Sequence, residues 1–549
     1  MNIAARNWNH LGQPLPTPEE MGAWDTASIN DFFIPNSMLM ENASREAVRV
    51  FEGFLALQSR VLIIMGGGNN GGDGACIARH LRDAGHQVLV CHTKALDKAS
   101  FATKEHVFIA QKNGVPFVPL SFSNGVPALP PEHHDIAYAP HLIVDALLGT
   151  GFSGQLRQAE LEIIRYINHL GKRIPVAAVD IPSGLDGLTG LPKPEAVRAT
   201  CTVTFEAAKP GLVQHHAQEY TGTVYVRRIG IPTAVRSLHP ASFYLLAPQK
   251  HAWPAKITIM HKGSAGRVLI FGGSKGITGA PVLAALGALR AGAGLVTAAC
   301  PEKLEYSLRQ GFPEIMTHPL GTGDTWDEHL LPDCANAVTD LPRSSALVLG
   351  PGIGRGAKTL DVIAAILKNK HRPPLVLDAD GLFALGTEPG GASSPLLQSL
   401  HAEDCITPHP GEAARILGTT IQEVQADRVA ALRTLTGMTL ATVILKGVNT
   451  LISRQGTPVF IAPFATPSLA VGGSGDVLSG VIAALLSRAR ASASFSCNDA
   501  FQAACLAVYL HGKAGEDLDL RYPERGALAR EIAESIAHVQ RICVMDNSY

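Results

Sequence analysis

Residues Arg60–Gly74 read RVLIIMGGGNNGGDG: an apolar run that opens into glycines, two asparagines and an aspartate. Glycine lets backbone N–H groups approach a ligand closely, and at a helix start such groups face an anion. Asn69, Asn70 and Asp73 add oxygens and amides that suit a nucleotide, a sugar or a cation. Two further segments carry similar cargo. VDALLGTGFSG places Asp145 before a Gly/Thr/Ser loop, and AVDIPSGLDG places Asp180 and Ser183 around a proline. Asn, Asp and Ser oxygens brought together offer a site for a hard cation. Taken singly, each acid is equally well a helix cap or turn residue.

A cradle of different design lies near the other end. Ala470–Gly480 reads AVGGSGDVLSG and runs into an apolar helical pattern, so glycine N–H groups would form an anion hole with Asp476 in the first helical turn. A carboxylate beside a phosphate cradle can take a hydroxyl proton as a phosphoryl group is attacked; the plainer reading is an N-cap. Upstream, VILKGVNTLIS contributes Lys446 and a polar turn, LVLGPGIG a flexible loop, LDADG Asp378 and Asp380, and TPHPGE His409 and Glu412. No G-x-x-x-x-G-K-[ST] occurs, so this is not a P-loop site. Gly66, Gly68 and Gly71 do satisfy G-x-G-x-x-G, but the next apolar run, Gln87–Cys91, meets no acid before Asp97. The ordinary redox dinucleotide reading therefore loses support.

These residues need elements to hold them. Strand-like runs at Val61–Met65, Gln87–Cys91, Leu142–Ala146, Val176–Asp180 and Thr202–Phe205 alternate with helical patterns, the first of these helices expected over Ala75–Ala84. A second series begins at Gly266 with Val268–Phe271, Leu295–Ala299, Ala346–Leu349, Leu375–Leu377, Cys405–Thr407 and Val443–Leu445, with helices over Pro281–Ala291 and Asp476–Arg488. Such alternation predicts parallel sheets covered by helices. Between the series, Ile231–Pro254 holds four prolines and little helical pattern, which predicts a boundary between domains 1–238 and 239–549. At 549 residues more than one domain is expected.

Bulk composition narrows the function. A content of 46% hydrophobic and 17% charged residues fits a globular protein, and a net charge of −1 argues against nucleic acid or an anionic membrane as partner. The nine cysteines follow no zinc or disulfide spacing, so reduced thiols and a cytoplasmic location are expected. Neither a signal-peptide pattern nor an uninterrupted membrane-length apolar stretch is seen.

In combination, GGGNNGGDG, DALLGTG, DIPSG and the preceding LMENASREAV resemble the YjeF-type NAD(P)H-hydrate epimerase family over roughly Thr17–Arg236. The resemblance implies a Rossmann-like three-layer sandwich that interconverts the R and S forms of hydrated NAD(P)H. It implies contacts to the hydrate from Asn69, Asn70, Gly71, Gly72 and Asp73, from Gly149, Thr150, Gly151, Phe152, Ser153, Gly154 and Gln155, and from Asp180. It further implies potassium held by Asn70, Asp145 and Ser183, proton handling by Asp180, and Lys209 near the site.

HKGSAGRVLIFGGSKGITGAPVLAALGALRAGAGLV, GPGIG, DADG, TPHPGE, KGVNT and GGSGD occur in the order of the ribokinase-like, nucleotide-dependent NAD(P)H-hydrate dehydratases, which Lys250–Ile542 is similar to. That family phosphorylates the hydroxyl of the S hydrate and then expels phosphate. The resemblance implies an α/β ribokinase-like domain with Ala280, Gly352, Gly354, His409 and Asp476 at the hydrate, Asp476 being catalytic. Lys446, Gly447, Val448, Asn449, Thr450 and Gly475 would hold the adenine nucleotide, with Mg2+ on its phosphates. Fusion of the two halves suggests ADP as phosphoryl donor; the resemblance implies NADHX and NADPHX as substrates, and related domains suggest a homo-oligomer. The rivals are a kinase for a small hydroxylated metabolite, which would yield a stable phosphate ester, and a nucleotide-binding scaffold, which would tolerate loss of Asp476.

Overall fold

The computed structural model describes residues 8–123, 126–152, 154–254, 262, 265–342, 345–386, 394–491 and 496–545. The chain divides into two compact units. Pro14–Tyr244 belong to the first; Trp8–Gln13 and Leu245–Tyr549 form the second.

The first unit is built on a seven-stranded sheet. Its strands run in the order Thr223–Arg227, Cys201–Phe205, Val176–Val179, Leu142–Ala146, Arg60–Met65, Gln87–His92 and Phe117–Pro119, all parallel. Strands buried on both faces read as continuous apolar runs, and Leu142–Ala146, Val176–Val179 and Cys201–Phe205 are buried along their whole length. Sequence order reverses between Arg60–Met65 and Leu142–Ala146. Such a switch point opens a crevice beyond the carboxyl ends of the two strands. Asn69 and Gly149 lie in the segments that leave those ends.

The helix after Arg60–Met65 spans Asn69–Asp83, beginning six residues earlier than the apolar pattern indicates. The polar motif is therefore its first turn, with buried Asn70, Gly71 and Gly72 and partly buried Asp73 on regular helical backbone. Close approach explains two of its glycines. A Cβ on Gly71 would sit 2.1 Å from the Gly66 carbonyl oxygen, and one on Gly72 would sit 2.6 Å from Met40 Sδ.

Nine strands of an eleven-stranded sheet lie wholly in the second unit. From one edge the sheet runs Gly12–Pro14, Phe243–Leu246, Val459–Ile461, Leu451–Ser453, Thr442–Leu445, Cys405–Ile406, Leu375–Leu377, Ser345–Leu349, Arg267–Phe271, Leu295–Pro301 and Met316–Leu320. The strands from Thr442–Leu445 to Met316–Leu320 are parallel to their neighbours, whereas Thr442–Leu445, Leu451–Ser453 and Val459–Ile461 form an antiparallel meander. Here the order reverses between Ser345–Leu349 and Arg267–Phe271. Helix Gly279–Arg290 packs on helix Ser474–Arg490 at glycine contacts. A Cβ at Gly480 would lie 1.8 Å from the Ala284 carbonyl oxygen, and one at Gly287 would lie 2.3 Å from that of Val477.

The segment Ile231–Pro254, in which little helical pattern is expected, contains a helix, Thr233–Leu238, and the strand Phe243–Leu246. Trp8, counted in the second unit, packs edge-on against Phe501 and Phe460 at ring distances of 5.3 and 6.1 Å.

Candidate active sites

In the first unit the switch-point crevice is a cavity of about 600 Å³. Asn69, Asn70, Asp73, Gly149, Thr150, Gly151, Phe152, Gln155 and Asp180 line it, as does Lys209. Gly71 and Gly72 are packed into the helix behind that wall, Gly154 lies on the exposed turn beside it, and Ser153 lies outside the described residues.

Strand ends set the chemistry. Asp180 follows Val176–Val179 with a left-handed φ of 66°, and Lys209 follows Cys201–Phe205. Lys209 Nζ donates to Asp180 Oδ1 at 2.5 Å and to Thr204 Oγ1 at 2.8 Å, and the Thr204 hydroxyl donates to the same carboxylate oxygen at 3.0 Å. The lysine is 1% exposed, so its charge is compensated chiefly by this carboxylate. Two more acids face the pair. Burial raises the Asp25 carboxyl to about 6, with Lys209 opposing and Asp180 reinforcing. Burial, Asp180 and Asp25 hold Asp73 well above the carboxylate range. Asp25 and Asp73, both raised beside Asp180, therefore hold protons more readily than ordinary carboxylates, which is equipment for general acid–base work. Asp25, on helix Pro18–Asn30, carries no motif that sequence reading detects.

Behind the cavity wall Asp145 is fully buried. Its Oδ1 accepts from Ser183 Oγ at 2.6 Å and its Oδ2 from Ser183 N at 2.8 Å. Burial raises this carboxyl to about 6. Asn70 Nδ2 donates to the Leu148 carbonyl at 3.0 Å, while buried Asn70 Oδ1 has no partner. Leu148 N in turn donates to Ser183 Oγ at 2.8 Å. An unpaired buried oxygen beside a buried carboxylate is a donor set that suits a cation.

In the second unit the parallel strands deliver acids and a lysine to one edge. Asp378 follows Leu375–Leu377, Thr407 follows Cys405–Ile406, and Lys446 follows Thr442–Leu445. Lys446 Nζ donates to Asp378 Oδ1 at 2.8 Å, an oxygen that also accepts from Thr407 Oγ1 at 2.6 Å; Glu412 lies 3.8 Å from the ammonium. Burial works against the Lys446 charge, but Asp378 and Glu412 outweigh it and raise its pKa.

Asp476 sits in the first turn of Ser474–Arg490, after Gly473 at φ 93°. Burial, then Asp378, lift its carboxyl to about 7 against the pull of Lys446. Burial likewise brings Glu412 to about 7. A Cβ on Gly475 would come within 3.2 Å of Lys446 Nζ, so the helix start faces the lysine.

His409 caps helix Pro410–Leu417. Its Nδ1 accepts from Gly411 N at 2.9 Å, and Glu412 Oε2 accepts from His409 N at 2.8 Å. Burial and the neighbouring Lys446 lower its pKa. His409, Lys446, Gly447, Val448, Thr450 and Gly475 line a cavity of about 450 Å³, together with Phe464 and His511, which sequence reading did not single out. Asn449, at φ 51°, turns inward instead and donates from Nδ2 to the Ala462 carbonyl at 3.1 Å. Arg428, also missed, donates to the carbonyls of Val448, Leu445 and Lys446 and fixes the turn.

Ala280, Gly352 and Gly354 stand off the cavity. A Cβ on Gly352 would lie 3.2 Å from Ala280 Cβ, and Gly354 N donates to Asp380 Oδ2 at 3.1 Å. Asp380 raises the Asp476 pKa, which ties this loop electrostatically to the acid cluster.

Sequence comparison decides the family. Residues 36–211 match the family described as YjeF-related protein N-terminus, and residues 268–538 match NAD(P)H-hydrate dehydratase. A bifunctional NAD(P)H-hydrate repair enzyme of Moorella thermoacetica is 36% identical over 539 residues, covering 96% of each chain. The chain belongs to the bifunctional NAD(P)H-hydrate repair enzymes. A second such enzyme, from Thermanaerovibrio acidaminovorans, is 35% identical over 95% of this chain and 97% of its own. A solved ADP/ATP-dependent NAD(P)H-hydrate dehydratase from Bacillus subtilis, co-crystallized with ATP/Mg2+, is 26% identical. It covers 54% of this chain and 95% of its own at a TM-score of 0.43. Both parts of a repair enzyme of this family, the YjeF-type epimerase part and the ribokinase-like dehydratase part, are thus present in one chain. Among the described residues no helix is long and apolar enough to cross a membrane.

Proposed function

We propose that residues 1–238 epimerise R- and S-NAD(P)HX and that residues 239–549 dehydrate the S epimer to NAD(P)H, consuming ADP and releasing AMP and phosphate. The observation that carries the reading is a repeated arrangement: each unit has its own cavity, lined at the strand ends by a lysine ion-paired to an aspartate, Lys209–Asp180 in one and Lys446–Asp378 in the other.

In the first cavity Asp180 takes up and returns the proton of the hydrate as a bond at the hydrated carbon breaks and re-forms on the opposite face, while Lys209 holds the Asp180 carboxylate in place. Asn69, Asp73 and Gly149–Gln155 bind the hydrate. The unpaired Asn70 oxygen and the buried Asp145 carboxylate, with Ser183, fit a potassium ion. Bound there, the ion supplies charge neutralisation for Asp145 and fixes the loop.

In the second, Asp476 takes the hydroxyl proton as the substrate oxygen attacks the β-phosphorus of ADP, and AMP leaves. The ester then loses inorganic phosphate as the carbon–oxygen bond breaks, and the neighbouring ring carbon gives up a proton to solvent as the ring double bond forms. Lys446–Thr450 and Gly475 bind the nucleotide, and Ala280, Gly352, Gly354 and His409 the hydrate. Mg2+ arrives with the ADP phosphates and screens their charge. Cys76, Cys91, Cys201, Cys300, Cys334, Cys405 and Cys505 form no disulfide, which supports a cytoplasmic setting; we place the chain there as a homo-oligomer.

Product analysis with S-NADHX and ADP tests the reading. Equal amounts of NADH, AMP and inorganic phosphate are expected. A stable phosphate ester without NADH would make the second unit a kinase.

A further inference from the structure

Away from both cavities, three helices of the first unit bring together a group of donors that the epimerase reading does not use. Glu41 lies on helix Asn36–Phe51, Cys76 on Asn69–Asp83 and His106 on Phe101–Lys112. One ligand atom from each lies within 4.8 Å of the other two. None of the three lines the 600 Å³ cavity.

His106 is the telling member. Its side chain is 4% exposed and neither ring nitrogen has a hydrogen-bond partner. A buried imidazole without partners is unfavourable and calls for an explanation. The Cys76 thiol donates to Glu41 Oε2 at 3.1 Å, and His80 Nε2, one helical turn beyond Cys76, stands 2.9 Å from Glu41 Oε1. Thiol, imidazole and carboxylate together are the donor mixture of zinc sites, not of calcium or magnesium sites, which take oxygen alone.

We propose that Glu41, Cys76 and His106 form a binding site for a borderline-soft divalent cation of the zinc type that clasps the three helices.

Tetrahedral ligands sit roughly 3.5 Å apart around zinc; Cys76 Sγ and Glu41 Oε2 are already 3.1 Å apart, and all three donor atoms lie within 4.8 Å of one another. Arg79 competes for two of these donors: Nη2 lies 2.5 Å from Glu41 Oε2 and 3.6 Å from Cys76 Sγ, and 2.8 Å from His80 Nε2. Its guanidinium must swing aside, a move eased by a buried Nε that has no partner. Arg45 adds a second positive charge near His80, and Ser44 hydrogen-bonds Cys76. Loading forms a metal–sulfur bond and releases the thiol proton to solvent. With one thiolate and one carboxylate the loaded site is neutral.

The test is titration of the chelator-stripped full-length chain with Co2+ under reducing conditions. One equivalent should bind, with a thiolate-to-cobalt charge-transfer band in the near ultraviolet, and Zn2+ should displace it. The band should vanish in Cys76→Ser, His106→Gln should bind at least tenfold more weakly, and Arg79→Gln should bind more tightly because a competing charge is gone. Circular dichroism and thermal unfolding establish that each variant is folded. Absence of the band in the parent chain overturns the proposal, as does its persistence in Cys76→Ser. Should Cys76→Ser fail to fold, undiminished affinity in His106→Gln overturns it.

Discussion

Lys209 Nζ and Asp180 Oδ1 stand 2.5 Å apart with the lysine almost wholly enclosed. Asp180→Asn keeps the shape and removes the charge that orients and accepts a proton. Loss of a general acid or base typically costs about 10²–10⁴ in rate. Epimer interconversion, followed by chromatography of the two hydrates, should fall by that range, while ADP-dependent recovery of NADH from S-NADHX stays within twofold.

In the other unit Asp476 must be ionised to accept a proton. Its carboxyl titrates at about 7 beside Glu412, which titrates at about 7 as well. Dehydratase rate should therefore rise with pH through that region, with an apparent pKa that belongs to the pair. Glu412→Gln removes a neighbouring negative charge and should shift the rising limb to lower pH. Asp476→Asn should bind ADP within a few-fold of the parent yet lose about 10²–10⁴ in rate. A pH–rate profile of kcat checks the first expectation, and equilibrium binding with single-turnover kinetics the second.

A cation beside Asp145 predicts a salt effect on stability. Folding raises this carboxyl from 3.8 to about 6. Between about 4 and 6 the folded chain holds a proton that the unfolded chain has released, so stability contributed by this group falls as pH rises through that window. Above it the buried carboxylate is ionised, and a bound cation stabilises the folded state by mass action. The melting temperature at pH 7.5 should rise with KCl more than with choline chloride, and the difference should disappear in Asp145→Asn.

Helix contact in the second unit leaves no room at Gly480, where a Cβ would meet the Ala284 carbonyl at 1.8 Å. Gly480→Ala should cost about 1–3 kcal/mol by overpacking. Because the same helix carries Asp476, dehydratase activity should fall with it, while epimerase activity persists. Chemical denaturation with parallel assays separates the two effects.

Much of this arrangement is legible in the chain. Parallel strands buried on both faces announce themselves as apolar runs, and the glycine-rich ends of Arg60–Met65 and the start of Ser474–Arg490 mark where ligands approach. Other features are tertiary. Helix Asn69–Asp83 begins within glycines and asparagines of low helical propensity, held by the packing of Gly71 and Gly72. Asp25 has its carboxyl raised to about 6 because folding buries it, next to Lys209 and Asp180. Trp8 joins the second unit through Phe460 and Phe501, which lie far along the chain. His106 sits in an unremarkable amphipathic helix; its missing hydrogen bonds exist only in the folded chain.

The central claim is that one chain carries out two consecutive reactions at two separate sites. Pure R-NADHX, supplied with ADP, tests it most directly by the return of NADH absorbance. The parent chain should convert R-NADHX fully to NADH. Asp180→Asn should convert S-NADHX but slow recovery from R-NADHX about 10²–10⁴-fold, and Asp476→Asn should slow both to that extent. Recovery from R-NADHX at the parental rate in Asp180→Asn would contradict the account.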